Sequence, residues 1–313
     1  MPTINTISDF AAAVQTALTA AFPECRIEAV NVTKNNGVHL TGLAIHPKNK
    51  KIAPAIYMEP YFSALQSGQP LETVVSQITS ICSAALSCAK NGIDAEEITD
   101  FNRVKDKICY KLISRNKNSR LLSATPHRDY HDLAVAYYIR LALTDNGLAT
   151  LNITKTLSEI WGVDEETLYS LAQNNTPRIN RGCIMPVTDV LGIPSCGPGG
   201  DSHKSDTYDS FDFTNIMGDE PPMYVATNTN KTYGAGILLY DGLLDAVAEK
   251  LGNFYVLPSS VHELIIVPEK FGHPFELKQM VEEINRAEVA AEEILSDSCY
   301  CFDADTHELK IAV

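Results

Sequence analysis

Residues 254–268 read FYVLPSSVHELIIVP, in which two apolar runs flank the tripeptide Pro-Ser-Ser. Proline presets a turn dihedral and serine hydroxyls can bond nearby backbone groups, so the centre of the stretch favours a tight corner. The flanking runs have the length and the β-branched content of short strands. The stretch therefore predicts two antiparallel strands joined by a corner, an arrangement typical of sheets that are built from hairpins.

Further hairpins are predicted on both sides of this stretch. The dipeptide Asn36-Gly37 lies between two alternating runs, and Asn-Gly is the strongest short hairpin signal because both residues tolerate positive φ. Other strands are predicted at 52–58, 108–114, 133–143, 222–228, 234–240, 299–303 and 308–312. The strands at 222–228 and 234–240 are expected to pair with each other as a hairpin.

Apolar residues at a spacing of three or four predict helices between these strands. The predicted helices lie at 7–21, at 70–92 with a stop at Asn91-Gly92, within 152–175 as two helices broken at 162–163, at 241–252, and from 274 onward. Asp164 and Asp241 are the expected N-caps, and Gly252 is an expected stop. Glutamate pairs at 165–166, 282–283 and 292–293 fall in helical segments and predict solvated faces.

The order of these elements indicates the fold class. Hairpins outnumber strand–helix–strand units, so we predict an α+β fold with a mainly antiparallel sheet and packed helices. Residues 192–222 interrupt the periodic pattern, since they are rich in Gly, Pro, Ser and Asp. We expect a flexible acidic loop there. This loop could separate two α+β subdomains, residues 1–191 and 223–313.

The charge of the chain excludes several classes of partner. The 313 residues carry a formal net charge of -14, and the sequence pI is about 5.0. Nonspecific binding to nucleic acid or anionic lipid requires a basic surface, so we expect neither nucleic acid nor membrane as a partner.

The N-terminal apolar segment is broken by Gln15 and Thr16 and has no basic leader, unlike a signal peptide. We therefore expect a cytoplasmic protein whose cysteines are reduced.

The corner contains the most suggestive candidates for catalysis, namely Ser259, Ser260, His262 and Glu263. A serine hydrolase would use one serine as the nucleophile, His262 as the base, and Glu263 or a distant carboxylate as the orienting acid. A nucleophile elbow, however, needs glycines beside the serine and a helix after it. Here Pro258 precedes the serines and a β-branched run follows them, so a structural corner tied to a neighbouring loop is favoured.

His127 and His131 are the candidate metal ligands, because two histidines four residues apart lie on one side of a helix. Pro126 and the β-branched and aromatic residues downstream favour entry into a strand, where that spacing corresponds to about 13 Å. The sequence identifies no third ligand, and no glycine-rich segment has the strand-to-helix context of a nucleotide site. We therefore expect neither a metal nor another cofactor.

Several motifs occur in a recognisable order: NNGVHLTGLAI, FNRVKDKICYKLIS, PHRDYHDLAVAYY, WGVDEETLYSLAQNNTPRI, MYVATNTNKTYGAGILLYDGLLDAVAEKLG and YVLPSSVHELIIVP. In this order they resemble a family of uncharacterised proteins of anaerobic gut bacteria, domain of unknown function 5688. The resemblance covers most of the chain apart from residues 192–222, which resemble an insertion. It implies a cytoplasmic bacterial protein, often encoded in mobile or accessory genome regions, and it implies no activity. His131 departs from the apolar residue of the family, which weighs against the metal site.

Three functions are retained as hypotheses. The leading one is a non-enzymatic role through contact with a protein partner, in an accessory or mobile-element context. The alternatives are the serine hydrolase and a sensor that binds a small molecule or peptide in a pocket between the two halves. Convergent polar side chains in a deep pocket would favour one of the alternatives.

Overall fold

A computed structural model describes residues 4–47, 55–90, 95–144, 147–190, 211–212 and 222–313 of the chain. The predicted acidic loop at 192–222 lies outside the described residues, apart from 211–212 and 222, and so does the predicted helix stop at Asn91-Gly92. Within the described ranges the fold is α+β with mainly antiparallel sheets, as the sequence predicts. Among the described helices, none combines the length and the apolar composition that crossing a bilayer requires.

The chain divides into two compact units, each assembled from two stretches of sequence. The first unit contains Met1–Val104 and Leu141–Ala149, and the second contains Lys105–Arg140 and Thr150–Val313. This division differs from the predicted subdomains, 1–191 and 223–313. The physical reason is that the strands at 182–186 and 224–228 are hydrogen-bonded neighbours, so both sides of the predicted boundary belong to one sheet.

The first unit combines helices with a three-stranded antiparallel sheet. Its elements are α1 (Ile7–Ala21), β1 (Cys25–Thr33), β2 (His39–Pro47), β3 (Ala55–Tyr57), α2 (Glu59–Gln66), α3 (Leu71–Lys90), α4 (Ala95–Thr99) and α5 (Phe101–Val104). α1 has the predicted bounds, and it begins at a capping box formed by Thr6 and Asp9. Its buried face shares one apolar core with β2 and α3, which includes Phe10, Val14, Leu18, Leu43, Ile45, Val74 and Ile78.

The predicted hairpin around Asn36-Gly37 is confirmed. β1 and β2 pair in antiparallel orientation over all nine residues of each strand. Asn36 and Gly37 adopt φ values of 58° and 70°, in the left-handed region that these residue types tolerate best.

The remaining elements form two further sheets. In chain order they are β4 (Ile108–Ser114), α6 (Ser119–Ala124), β5 (His127–Tyr130), β6 (Leu133–Thr144), β7 (Gly147–Asn152), α7 (Lys155–Trp161), α8 (Glu165–Ile179), β8 (Gly182–Pro186), α9 (Val187–Val190), β9 (Phe211–Asp212), β10 (Tyr224–Asn228), α10 (Leu243–Leu251), β11 (Phe254–Leu257), β12 (Leu264–Pro268), α11 (Pro274–Ala287), β13 (Tyr300–Asp303) and β14 (Glu308–Ile311). The seven-stranded sheet has the order β14-β13-β11-β12-β10-β8-β9, in which only the β8–β9 pair is parallel. The four-stranded sheet has the order β4-β6-β5, and β7 also pairs with β6.

The predicted break between two helices at Gly162-Val163 is confirmed. Gly162 ends α7 with a φ of 68°, and Asp164 is the N-cap of α8, where its carboxylate accepts from the Thr167 N–H. α8 packs along β4, and the Thr176 hydroxyl oxygen accepts from a backbone N–H of that strand at 3.1 Å. The local signals at 162–164 therefore fix where α8 begins, and contacts such as that of Thr176 hold it against the four-stranded sheet.

One predicted strand is wrong, because residues Gly234–Leu239 form a 3-10 helix instead of pairing with β10. A Cβ atom on Gly234 would collide with the His262 carbonyl oxygen and with Thr227 Oγ1, so the backbone passes very close to β10 and to the corner. A Cβ atom on Gly236 would lie 3.3 Å from the buried Tyr110 ring. This packing involves residues distant in sequence, and the apolar content of the segment alone does not reveal it.

The helix that follows is confirmed as α10, but its predicted N-cap is wrong. Gly242, with a φ of 72°, occupies the N-cap position instead of Asp241. The Asp241 carboxylate accepts from Gln173 Nε2 at 3.1 Å, so its side chain is turned towards α8. Gly252 ends the helix with a φ of 68°, as predicted.

Candidate functional site

The stretch 254–268 forms the predicted strand, corner and strand, with β11 and β12 paired in antiparallel orientation. Residues 258–263, here called the corner, are joined by backbone hydrogen bonds to residues 288–296, here called the return segment. The bonds run from Leu295 N–H to Ser259 O (2.9 Å), from Ser296 N–H to Pro258 O (2.8 Å) and from Val261 N–H to Glu293 O (2.8 Å). The corner therefore has a fixed backbone, held by a segment that lies after α11.

Both serines of the corner have hydrogen-bond partners other than an imidazole. The Ser259 hydroxyl donates to Asn285 Oδ1 at 2.7 Å, and Asn285 is a buried residue of α11. The Ser260 hydroxyl oxygen accepts from the backbone N–H of His262 at 3.1 Å. This second bond is a local side-chain-to-backbone contact of the kind that stabilises turns.

The imidazole of His262 faces away from these hydroxyls. Its Nδ1 accepts from the Tyr233 N–H at 3.3 Å, so in the neutral ring the proton is on Nε2. Nε2 lies 3.5 Å from Glu293 Oε1 of the return segment. The rings of His262 and Tyr233 are also stacked, with centroids 6.1 Å apart.

A serine hydrolase requires an imidazole nitrogen that accepts the proton of the nucleophilic hydroxyl. In the corner, both imidazole nitrogens of His262 are directed at Tyr233 and Glu293. Glu263 is exposed. These contacts favour the structural interpretation of the corner, and the hydrolase stays an untested prediction.

A groove of about 340 Å³ opens where the corner, α11 and the return segment meet. It is lined by Leu257, Ser259, Ser260, Glu263, Ile265, Met280, Val281, Ile284, Glu288, Val289 and Glu293. Six of these residues are aliphatic or Met, and together they make the apolar part of the lining, here called the floor. Ile284 is 42% exposed, so part of the floor is open to solvent.

The charge of the groove has a single sign. Glu263, Glu288 and Glu293 supply three carboxylates, and the described lining includes no Lys or Arg. Glu263 and Glu288 are exposed, and Glu293 retains 44% of its side-chain surface. Carboxylates at the rim of an apolar cleft raise the local concentration of cations and steer cationic ligands into it.

Part of this groove is predictable from the sequence. The candidates Ser259, Ser260 and Glu263 lie together in the lining. The prediction of a helix surface for the glutamate pair 292–293 is wrong, because α11 ends at Ala287 and Glu293 lies in the groove. The amphipathic pattern of α11 is a signal that points to its groove-facing apolar residues, whereas no local pattern marks the return segment.

A second polar cluster in the second unit surrounds Lys111, a residue that sequence analysis did not single out. All seven residues of β4 are buried, and Lys111 is 6% exposed. Its Nζ donates to Asn152 Oδ1 at 2.9 Å and lies 3.5 Å from the Tyr233 hydroxyl. The sequence signal is a single lysine inside the apolar strand ICYKLIS, since a lysine buried in a strand is rare unless it has a specific partner.

The candidate metal ligands His127 and His131 do not lie on a helix. His127 is the first residue of β5, and its Nδ1 lies 3.0 Å from the Thr125 carbonyl oxygen. His131 lies in the turn after β5 with a φ of 55°, and its ring is 5.5 Å from the Tyr300 ring. Over the part of the chain that the structure describes, no three His, Cys, Asp or Glu residues are grouped so that they could hold a metal ion.

Three hydroxyl groups converge on Asp132, which follows His131 in the turn between β5 and β6. Ser296 and Ser298 donate to its carboxylate at 2.5 Å and 3.1 Å, and the Tyr300 hydroxyl donates as well. Burial, and then the hydrogen bond to Asp132, raises the pKa of Tyr300. The Tyr300 hydroxyl is therefore protonated at neutral pH, and its hydrogen bond to Asp132 connects the turn between β5 and β6 with β13.

Comparison with known proteins places the chain in a family without assigning an activity. No curated protein and no solved structure matches it. A family model described as "Family of unknown function (DUF5688)" matches residues 7–304, which is nearly the whole chain and includes the corner, the groove and Lys111. The chain therefore belongs to this family of unknown function, DUF5688.

Proposed function

We propose that this protein is a non-enzymatic binding protein whose groove receives a segment of another protein, with an apolar side chain on the floor and Lys or Arg beside it. The observation that carries the proposal is the combination of an apolar floor with three carboxylates around it. Burying one Leu or Phe side chain of a partner contributes about 2 kcal/mol. The carboxylates then select segments in which a cation is adjacent to that side chain.

The size of the groove favours a side-chain site over a pocket that encloses a whole ligand. A volume of about 340 Å³ is close to the lower limit of pockets that bury drug-sized molecules, which range over roughly 300–1,000 Å³. A sensor for a small organic cation would use the same floor and the same carboxylates. The hydrolase has less support, because Ser259 donates to Asn285 and His262 is turned towards Glu293.

A bacterial cytoplasmic location, in an accessory or mobile-element context, is part of the same proposal. It is supported by six cysteines that are free thiols, namely Cys25, Cys82, Cys109, Cys183, Cys299 and Cys301. Free thiols persist in reducing compartments. Burial raises the pKa of Cys109 to about 11, so this thiol also resists oxidation and alkylation at neutral pH.

Selection from a phage-displayed library of random peptides tests the groove. We expect enrichment of sequences in which Leu, Ile or Phe is adjacent to Lys or Arg. The variant with Glu263→Lys and Glu288→Lys should lose binding of the enriched peptides by at least tenfold. The matched control carries Glu249→Lys and Glu276→Lys, which are exposed positions outside the lining, and it changes the net charge equally.

Two outcomes would contradict the proposal. One is enrichment of peptides without basic residues, because the three carboxylates would then have no role in selection. The other is an equal loss of binding in the control variant, because attraction to the overall charge of -14 would then explain the binding. A change of Ile284 to Arg separates the contribution of the floor, and it should abolish binding even at low salt.

A further inference from the structure

The ammonium group of Lys111 has an unusual environment for a buried charge. Its described polar partners are neutral, namely Asn152 Oδ1 at 2.9 Å and the Tyr233 hydroxyl at 3.5 Å. The Tyr233 ring adds a cation–π contact, with the ring centroid 4.5 Å from Nζ. Among the described residues, no carboxylate lies within ion-pair distance of this Nζ.

A buried ammonium group normally requires a negative charge nearby. Removing it from water costs several kcal/mol, and one neutral hydrogen bond with one aromatic face offsets only part of that cost. The group has three N–H donors, of which Asn152 accepts one at good distance while the contact to Tyr233 is long. An oxyanion placed at Nζ would supply both the missing charge and a stronger acceptor.

The groups around Nζ are held firmly in place. Tyr233 adopts a φ of 53°, a conformation that non-glycine residues seldom take and that is frequent at ligand sites. Its backbone N–H donates to His262 Nδ1, and its ring lies 5.2 Å from the Tyr138 ring on one side and 6.1 Å from the His262 ring. The site is thus organised before a ligand arrives, which lowers the entropic cost of binding.

Lys111 is buried, but the two residues that contact its Nζ are not. Asn152 and Tyr233 are both only half-buried, so the side of Nζ that they cover is the side nearest to solvent and the one from which an anion would approach. The net charge of the chain is negative and repels anions in general. The ammonium group of Lys111 therefore favours only those anions that come into direct contact with it.

We infer that Lys111, positioned by Asn152 and Tyr233, is a binding site for an oxyanionic group, a carboxylate or a phosphate, of a small ligand. Lys111, Asn152 and Tyr233 do not line the groove proposed for protein binding, although Tyr233 contacts His262 of the corner. The ammonium group provides the charge and a hydrogen bond, Asn152 fixes its position, and Tyr233 closes one side.

Titration of protein labelled with ¹⁵N-tyrosine tests this site. The Tyr233 amide resonance is assigned by its loss in Tyr233→Phe and is followed with sodium phosphate in one arm and sodium acetate in the other, at constant ionic strength. We expect a saturable shift in at least one arm, and the arm that saturates identifies the oxyanion. Lys111→Met should abolish the saturable shift, whereas Lys155→Met, at an exposed lysine, should retain it.

Asn152→Asp provides a second variant that does not depend on tolerance of Lys111→Met. It places a carboxylate where Asn152 Oδ1 now accepts from Nζ, so the protein acquires an internal counter-ion. We expect this variant to be folded and to bind the anion at least tenfold more weakly than the wild type. A linear response in both arms for the wild type, a saturable shift in Lys111→Met, or unchanged affinity in Asn152→Asp would each overturn the inference.

Discussion

Two connections between antiparallel strands, the turn at Asn35–Gly37 and the corner at 258–263, differ in what holds them in place. The turn contains its own backbone hydrogen bond, from Lys34 N–H to Val38 O at 2.7 Å, and nothing lies within 4 Å of an added Cβ on Gly37. The corner is stabilised from outside, by backbone bonds to the return segment and by Asn285 of α11. The turn shows a local bond of its own, whereas the corner is held by groups distant in sequence and can therefore position a site.

The largest expected effect is a loss of stability in Gly234→Ala. We compare it with Gly37→Ala, so that one methyl group is added near the corner and one in the turn. Gly234→Ala forces a Cβ into the His262 carbonyl oxygen, which belongs to the corner. Because a backbone atom cannot rotate away, we expect a loss of about 3 kcal/mol, the upper part of the range for overpacking. Urea denaturation followed by the fluorescence of Trp161 measures it. If Gly234→Ala lost less free energy of unfolding than Gly37→Ala, the backbone of the corner would be able to move aside at little cost.

The second effect tests the support of the corner from α11. Asn285 accepts from Ser259 and donates to the Ser296 carbonyl oxygen and to Asp297. Asn285→Ala leaves the buried Ser296 carbonyl oxygen and two partly exposed side chains without their partner, so we expect a loss of about 2 kcal/mol in the free energy of unfolding. Asn174→Ala, at an exposed asparagine of α8, is the matched control and should change stability by less than about 0.5 kcal/mol. Equal losses of stability in Asn285→Ala and Asn174→Ala would mean that the hydrogen bonds of Asn285 to the corner do not contribute to stability.

The turn should respond more weakly, and for a different reason. Gly37 has a φ of 70°, so alanine there is strained although it meets no neighbour. We expect Gly37→Ala to cost about 1 kcal/mol. Gly37→Asn should cost less, because asparagine tolerates the left-handed region. Thermal unfolding followed by circular dichroism provides the comparison, and a larger loss for asparagine would contradict the assignment of the cost to backbone strain.

The smallest effect concerns the serines. Ser260→Ala removes one hydroxyl acceptor from a half-exposed turn and should cost about 0.5 kcal/mol. Neither serine should react with a fluorophosphonate probe, because the imidazole of His262 is directed at Tyr233 and Glu293. Stoichiometric labelling of Ser259 or Ser260 that disappears in His262→Ala would contradict the structural role of the corner and would identify it as a catalytic site.

Elements with strong local signals could be predicted from the sequence. The bounds of α1 follow from its apolar spacing, the hairpin of β1 and β2 follows from Asn36-Gly37, and the cap of α8 follows from Asp164. Segment 234–240 could not be predicted, because its conformation depends on contacts of Gly234 with the corner. The division into the two observed units could not be predicted for a similar reason, since local composition carries no sign of the pairing of β8 with β10.

The candidate sites show the same limit. Pro258 and the β-branched run predict the strand, corner and strand that β11 and β12 form. The partners that decide their chemistry, Asn285 and Glu293, come from a helix and a segment about thirty residues later. Lys111 could have been noticed as a charge in an apolar strand, but its neutral partners are 41 and 122 residues away along the chain.

The cluster at Asp132 has a consequence for synthesis of the chain. Its three hydroxyl donors follow Asp132 by 164, 166 and 168 residues. At about 5–20 residues per second, a ribosome takes about 8–30 s to reach them. Throughout that interval β5 and β6 are already made, but the carboxylate between them lacks its donors and β13 does not yet exist. The second unit therefore finishes folding only after Tyr300 has been translated, and nascent chains that stall before Ser296 should be the ones that chaperones and proteases capture.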